Sequence, residues 1–363
     1  MFCCAESGRG NQRQAPDASQ PRVGKRQIEE GRVVGEGIRL GQAPQEQESI
    51  ADGAPEQSPM PVLACPVCLD PLTLADAGVT CSRGHSFDRA SEGYFNLLLP
   101  GQRSLGDTRE MLTARRRFLE AGHYSPLAEE IAERIGALIA GRFGDRPIRL
   151  LDVGCGEGYY LRRLRALLAE RATASQSASN RPGNWTLDRP RESPVKLELY
   201  GADLSRDAVR LAAKADRATT YVVADTRRLP FFDSSLDVVL DVFAPRSTVE
   251  LSRMIRPTGW LLVVIPDASH LAELRSLPGV TGGIGIEPEK RRHVVEGLSA
   301  SFDLLEERSV RVRLLLSVAA LADLLGMTPT SRHLSETDWA AVRTSADTTV
   351  SAEFRLLVFG RRG

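Results

Sequence analysis

Three glycines at every second position stand where a short apolar run gives way to a helix-forming stretch: Arg149-Leu150-Leu151-Asp152-Val153-Gly154-Cys155-Gly156-Glu157-Gly158-Tyr159-Tyr160. The apolar run reads as a buried strand, and the helical pattern runs from Tyr160 to Leu168. Glycine suits a tight turn that a ligand approaches closely, because no Cβ stands in the way. Two acids follow at matching places. The next strand-like run ends in Asp203, whose carboxylate can accept hydrogen bonds from both hydroxyls of a ribose, and the one after it, Thr220 to Asp225, ends in a second acid. Ligands of open α/β sheets sit beyond the carboxyl ends of the strands, where strand order reverses. A nicotinamide-binding turn reads Gly-x-Gly-x-x-Gly, and the spacing here is different.

Glycine turn, ribose acid and second acid in this order resemble an S-adenosylmethionine-dependent methyltransferase of the Rossmann-like class. That resemblance implies an α/β fold around a seven-stranded sheet, with S-adenosyl-L-methionine held by Asp152, Gly154, Gly156, Gly158, Asp203 and Asp225. Strand-like runs near 148–153, 197–202, 220–224, 236–243 and 259–265 alternate with helical segments, the pattern of a parallel sheet. Leu127 to Arg142 reads as an amphipathic helix leading into the first of these strands. After 267 come a helix at His270–Ser276, a glycine-rich loop at 279–285 and a polar helix near 287–298. Two long strand-like runs, Phe302–Leu316 and Ala352–Gly360, form the closing hairpin expected of the class. Residues 171–196, rich in Ser, Ala, Asn, Pro and Arg, read as a surface insertion.

Composition narrows the partners. Lys and Arg balance Asp and Glu at 47 each, so no global field draws the protein to nucleic acid and any RNA contact must be local. No apolar run approaches a membrane span, and the amino terminus lacks a signal-peptide layout, so a cytoplasmic protein is expected. Residues 1–60 hold few large apolar side chains and read as a disordered extension. Residues 61–100 form a zinc-binding domain, 101–126 a connector helix and 127–363 the methyltransferase domain. Cys65-Pro-Val-Cys68 and Cys81-Ser-Arg-Gly-His85 lie a dozen residues apart. Three thiols and an imidazole with no carboxylate suit tetrahedral Zn²⁺ in a closed structural site.

At this point the chain resembles the 23S ribosomal RNA (guanine-N1)-methyltransferases, including the branch that confers macrolide resistance in antibiotic producers. The resemblance covers residues 60–363 and rests on both cysteine motifs, Glu92-Gly-Tyr-Phe-Asn-Leu-Leu98, and Ala114-Arg-Arg-Arg-Phe-Leu-Glu-Ala-Gly-His-Tyr124. It continues through the glycine turn, Val242-Phe-Ala-Pro245 and Met327-Thr-Pro329. It implies structural zinc, a homodimer, and methylation of N1 of one guanine in a 23S rRNA stem-loop beside the peptide exit tunnel. Carried over residue by residue, it adds Tyr124, Glu157 and His270 to the donor pocket, beside Gly156. Each also has a plainer reading: Tyr124 as a packing ring, His270 as a helix cap, Glu157 as an acid favoured at a helix amino terminus. The amino-terminal extension, the insertion and Thr258 depart from the family pattern.

Methyl transfer from a sulfonium is an in-line displacement in which orientation supplies most of the catalysis. Asp241, at the end of the fourth strand, is expected to take the N1 proton, and Phe243 to stack on the target base. Arg115, Arg116, Arg117, Arg83 and Arg103 are candidates for phosphate contact, a solvated helix face being the alternative for the first three. Two other readings stay open: a small-molecule methyltransferase, and a non-catalytic zinc-bearing RNA-binding protein. Binding of S-adenosylmethionine separates the second from the enzymes.

Overall fold

The computed structural model describes residues 27–29, 32–34, 62–75, 77–99, 107–140, 146–179, 196–277 and 287–362. Cys3, Cys4, Arg103, the glycine-rich loop and most of the 1–60 extension lie outside them. Within that extension β1 (Gln27–Glu29) and β2 (Arg32–Val34) pair antiparallel, where only disorder was expected.

The cysteine-bearing module holds an antiparallel sheet of β3 (Thr73–Ala75), β4 (Gly78–Thr80) and β5 (Ser86–Asp88). Its last strand, β6 (Phe95–Asn96), pairs elsewhere. Helices α1 (Arg109–Glu120) and α2 (Ser125–Ile139) follow. The core then alternates: β7 (Ile148–Val153), α3 (Tyr159–Ser179), β8 (Leu197–Asp203), α4 (Arg206–Ala215), β9 (Thr220–Val223), β10 (Leu236–Val242), α5 (Thr248–Met254) and β11 (Ile255–Pro266). It finishes with α6 (Lys290–Leu298), β12 (Phe302–Leu316), α7 (Val318–Gly326), α8 (Glu336–Arg343) and β13 (Thr348–Arg361).

The main sheet runs β12-β13-β11-β10-β7-β8-β9-β6. Strands β7 to β11 are parallel, while β13 and β12 pair antiparallel as the closing hairpin. The seven expected strands are present, and β6 adds an eighth by pairing Phe95 with Val222 and Asn96 with Val223 on the β9 edge. Helix α3 continues to Ser179, so the first part of the expected insertion extends a helix, and 180–195 lie outside the described residues. The helix expected at His270 is a 3₁₀ turn over Ala272–Ser276.

Every residue of β7 and β10 is buried, as a parallel sheet covered on both faces requires. Successive residues feed opposite cores: Leu150 and Leu240 join one cluster, Leu151 and Val239 the other, following the two-residue strand period. Four helices open on a serine hydroxyl that accepts an N–H three residues on: Ser205 from Ala208, Ser247 from Glu250, Ser317 from Ala320 and Ser335 from Asp338. Such caps satisfy one of the orphan donors of a helix start. Strand order reverses around β7, which has β8 on one side and β10 on the other, and this places a crevice at their carboxyl ends.

The cysteine module is tied to the loop that follows β9. Ala64 N–H donates to the Pro230 carbonyl at 3.0 Å, Phe232 N–H to Val62 at 3.1 Å, and Arg228 Nη2 to Pro66 at 3.2 Å.

Candidate active site and metal centre

The glycine turn leaves β7 with Gly154, Gly156 and Gly158 at φ of 71°, 54° and 79°, the left-handed region that side chains avoid. A Cβ on Gly158 would come within 2.6 Å of the Tyr221 hydroxyl, so no larger residue fits that turn unchanged. Beside the turn, Asp203 ends β8. Its Oδ2 accepts the Gly156 N–H at 2.9 Å and its Oδ1 the Ser205 N–H at 2.7 Å. Burial raises its pKa in spite of those two donors. Each oxygen keeps a further lone pair, the capacity a pair of ribose hydroxyls needs.

Asp152 is 1% exposed and neither of its oxygens has a hydrogen-bond partner. Burial pushes its pKa well up, and the neighbouring Asp241 and Asp203 carboxylates push it further. An unpartnered buried carboxylate is costly, and an ammonium group would relieve it. Glu157 is also buried, but it turns aside: its Oε2 takes Arg162 Nη2 at 2.9 Å. Asp225 accepts the Arg227 N–H at 2.9 Å and its guanidinium at 2.7 Å, which holds the carboxyl below the usual range.

Asp241, expected to reach the reacting proton, is fully buried with both oxygens engaged. Oδ1 accepts the Ala244 N–H at 3.1 Å and Oδ2 takes Arg246 Nε at 2.8 Å. Arg246 stands five residues on and could have been read as its counter-ion. The Asp241 carboxylate thus ties down the turn that carries Phe243, which is 40% exposed with φ of 59°. Phe243 is thus an exposed aromatic held in the left-handed region that bulky residues rarely adopt.

Sequence reading missed the residue that gathers the pocket's rings. Phe354 of β13 lies 4.9 Å from Tyr124, 4.8 Å from His270 and 5.5 Å from Phe243 between ring centroids. Tyr124 is buried, which raises its phenol pKa. His270 Nδ1 lies 3.0 Å from the Glu353 amide nitrogen and 2.9 Å from its carbonyl oxygen, and burial lowers its pKa to about 4. His270 is therefore neutral at pH 7.

The arginine triplet is committed within the chain. Arg115 pairs with Asp107, Arg116 with Glu120, and Arg117 with both oxygens of Asp323, clamping α1 to α7. Arg116 and Arg117 keep 36% and 62% of their side chains exposed while paired, as a solvated helix face would. Three adjacent arginines on a helix point in different directions, and each finds its own acid.

In the small module the ligand atoms of Cys65, Cys68, Cys81 and His85 all lie within 4.8 Å of one another. The closest approaches are 3.3 Å from Cys81 Sγ to His85 Nδ1, and 3.6 Å both from Cys65 Sγ to that nitrogen and between the Cys68 and Cys81 sulfurs. A tetrahedron with Zn–S bonds of about 2.3 Å has edges of about 3.7 Å, so the quartet fits zinc with little adjustment.

Comparison with known proteins agrees with both halves. Residues 63–104 match the family profile described as the RlmA amino-terminal zinc ribbon, and residues 186–263 match that of a methyltransferase domain. A Micromonospora griseorubida protein whose name reads "Putative 23S rRNA (guanine-N(1)-)-methyltransferase" is 36% identical over 313 residues, 82% of this chain and 96% of its own length. The chain belongs to the 23S rRNA (guanine-N1)-methyltransferase family. A Streptomyces fradiae member of that family, named a 23S rRNA (guanine(748)-N(1))-methyltransferase, is 33% identical over 75% of this chain and 86% of its own. The methyltransferase domain implies S-adenosylmethionine as the cofactor, and the zinc-ribbon match together with the cysteine–histidine quartet supports structural zinc. Among the described residues no helix is long and apolar enough to cross a membrane.

Proposed function

We propose that this protein methylates N1 of a guanine in a 23S rRNA stem-loop beside the peptide exit tunnel. The observation that carries the reading is the union of a complete zinc quartet with an intact glycine turn and ribose acid, matched across nearly the whole length of a relative named for that reaction. S-adenosylmethionine, when bound, would supply an electrophilic methyl on its sulfonium; transfer to N1 would leave the neutral thioether S-adenosylhomocysteine and release the N1 proton to bulk solvent. Asp203 binds the ribose, Asp152 receives the ammonium of the methionine arm, and Asp225 faces the adenine side. Tyr124 and His270, packed on Phe354, wall the crevice without charge, which excludes water and suits a cationic donor losing its charge. Asp241 positions the turn through Ala244 and Arg246, and Phe243 stacks on a guanine drawn out of its pairing.

The RNA stem is held by the zinc module. That module carries the exposed side chains Val67, Leu69 and Leu74, together with Arg83, whose side chain is 66% exposed and pairs with Asp70 at 3.1 Å. A cytoplasmic site and macrolide resistance belong to the same proposal. So does a homodimer, which rests on the family alone.

Primer-extension mapping of 23S RNA from cells carrying wild type, Asp203→Ala or no copy tests the reading. The guanine numbered 748 in the Streptomyces fradiae relative's name is the first position to inspect. A stop at one guanine is expected with wild type only, and the variant loses roughly one to two decades of donor affinity. Unmodified 23S RNA alongside a methylated small molecule would favour the small-substrate alternative.

A further inference from the structure

The residues assigned so far account for the donor's ribose and ammonium and leave its α-carboxylate without a cation. The floor beside the glycine turn is acidic, with Asp152, Asp203 and Asp241 all buried or half-buried. Only Asp241 of the three is paired, with Arg246. An anion entering there meets repulsion unless a positive group faces it from the other wall.

One does. The guanidinium of Arg115, reaching in from α1, closes over the turn: a Cβ on Gly156 would lie 3.4 Å from its Nη1. The group is held by Asp107 Oδ2 at 2.5 Å from Nη1 and by the Met327 carbonyl at 3.1 Å from Nη2. Those contacts engage two of the five N–H donors of a guanidinium. About a quarter of the Arg115 and Asp107 side chains is exposed, so the pair sits at the crevice rim where a ligand can reach it. Arg116 and Arg117, next in sequence, pair with Glu120 and Asp323.

We propose that Arg115 binds the α-carboxylate of the methionine arm of S-adenosylmethionine, with Asp107 and the Met327 carbonyl fixing the plane of its guanidinium. The arm is then read as a zwitterion, its ammonium on Asp152 and its carboxylate on Arg115. A planar fork serves an acid, a carbonyl and a ligand carboxylate at once, which a lysine cannot do with the same geometry. Arg115 binds and orients; it touches no reacting atom. The proposal rests on the assignment of the ribose to Asp203.

Titration calorimetry with S-adenosylhomocysteine and with its decarboxylated analogue tests it, on wild type, Arg115→Gln, Arg115→Lys and Asp203→Ala. Wild type is expected to prefer the carboxylate-bearing ligand by roughly 10- to 100-fold, the range of a charge-assisted pair. Arg115→Gln should bring that ratio close to one by weakening S-adenosylhomocysteine alone, and Arg115→Lys should restore part of it. Equal weakening of both ligands in Arg115→Gln would mean that Arg115 only pins α1 near Met327, and the assignment falls. Absence of any preference in wild type overturns it without recourse to a variant. If Asp203→Ala binds both ligands as wild type does, the ribose reading fails first and takes this one with it.

Discussion

The central strands bury an aspartate at each end and treat the two in opposite ways. At the amino end of β10, Asp237 is 1% exposed and fully served: it accepts the Arg149 N–H at 2.9 Å and Arg146 at 2.8 and 2.9 Å, with Arg256 at 3.5 Å. At the carboxyl end of β7, Asp152 is as deeply buried and has no partner on either oxygen. Buried polar groups in folded proteins are almost always paired, so each exception asks for a reason. The fold pairs Asp237 at one end of its sheet; at the other it pairs Asp241 with Arg246 and leaves Asp152 without a hydrogen-bond partner. In the function proposed above, the ammonium of the methionine arm is the partner Asp152 lacks.

The largest expected effect tests how far the zinc module belongs to the ligand-binding end. Ala64 donates to the loop that starts at Asp225, Val62 and Pro66 accept from it, and β6 covers the β9 edge. Zinc binding in modules of this kind contributes about 10 kcal/mol or more of folding energy. Cys68→Ser should therefore release zinc, unfold residues 62–99 and loosen the Asp225 loop. Metal analysis with hydrogen exchange checks this, and protection retained in 225–232 after zinc loss would show that the two units are independent.

Next in size is the satisfied end. Asp237→Ala strands Arg146 and the Arg149 N–H, and breaking such a pair costs about 3–5 kcal/mol. Denaturant melts should show that loss, while donor affinity measured on the folded protein stays at the wild-type value. A fall in donor affinity without a fall in stability would reverse the roles assigned to the two ends.

Much of this contrast was legible beforehand, and what was not has physical causes. The glycine turn announced itself because few other residues hold φ near 54–79° against Tyr221 and Ala244. The zinc quartet did so because four soft ligands at knuckle spacing have few other uses. Asp203 was found from its place at a strand end. Arg115 could not be told from Arg116 and Arg117, since the acid that draws Arg117 away, Asp323, lies 206 residues along the chain. Phe354 hid in a strand rich in apolar residues. β6 was invisible because two residues carry no period. Asp152 was read as a ligand contact, but its lack of any protein partner is a property of packing that no spacing encodes.

The smallest effect is the sharpest test of the incomplete end. Burial and the neighbouring carboxylates raise the Asp152 pKa well above the ordinary value of about 4. Between that value and the raised one, the folded protein holds a proton that the unfolded chain has released. The unfolded state binds fewer protons there, so stability falls as pH rises through this window and stays lowered above it. Asp152→Asn keeps the shape and cannot ionise. The variant should be more stable than wild type at pH 8, where the wild-type carboxylate is buried without a partner. The gain should shrink as pH falls and vanish below about pH 4, where wild type is protonated in both states. Donor affinity should move the other way, dropping roughly tenfold as the ammonium loses its charged acceptor. Chemical denaturation across pH, paired with calorimetry at pH 8, reads both. A variant less stable than wild type at pH 8, or a difference flat across the range, would show that Asp152 is satisfied within the protein and that the two ends of the sheet are alike.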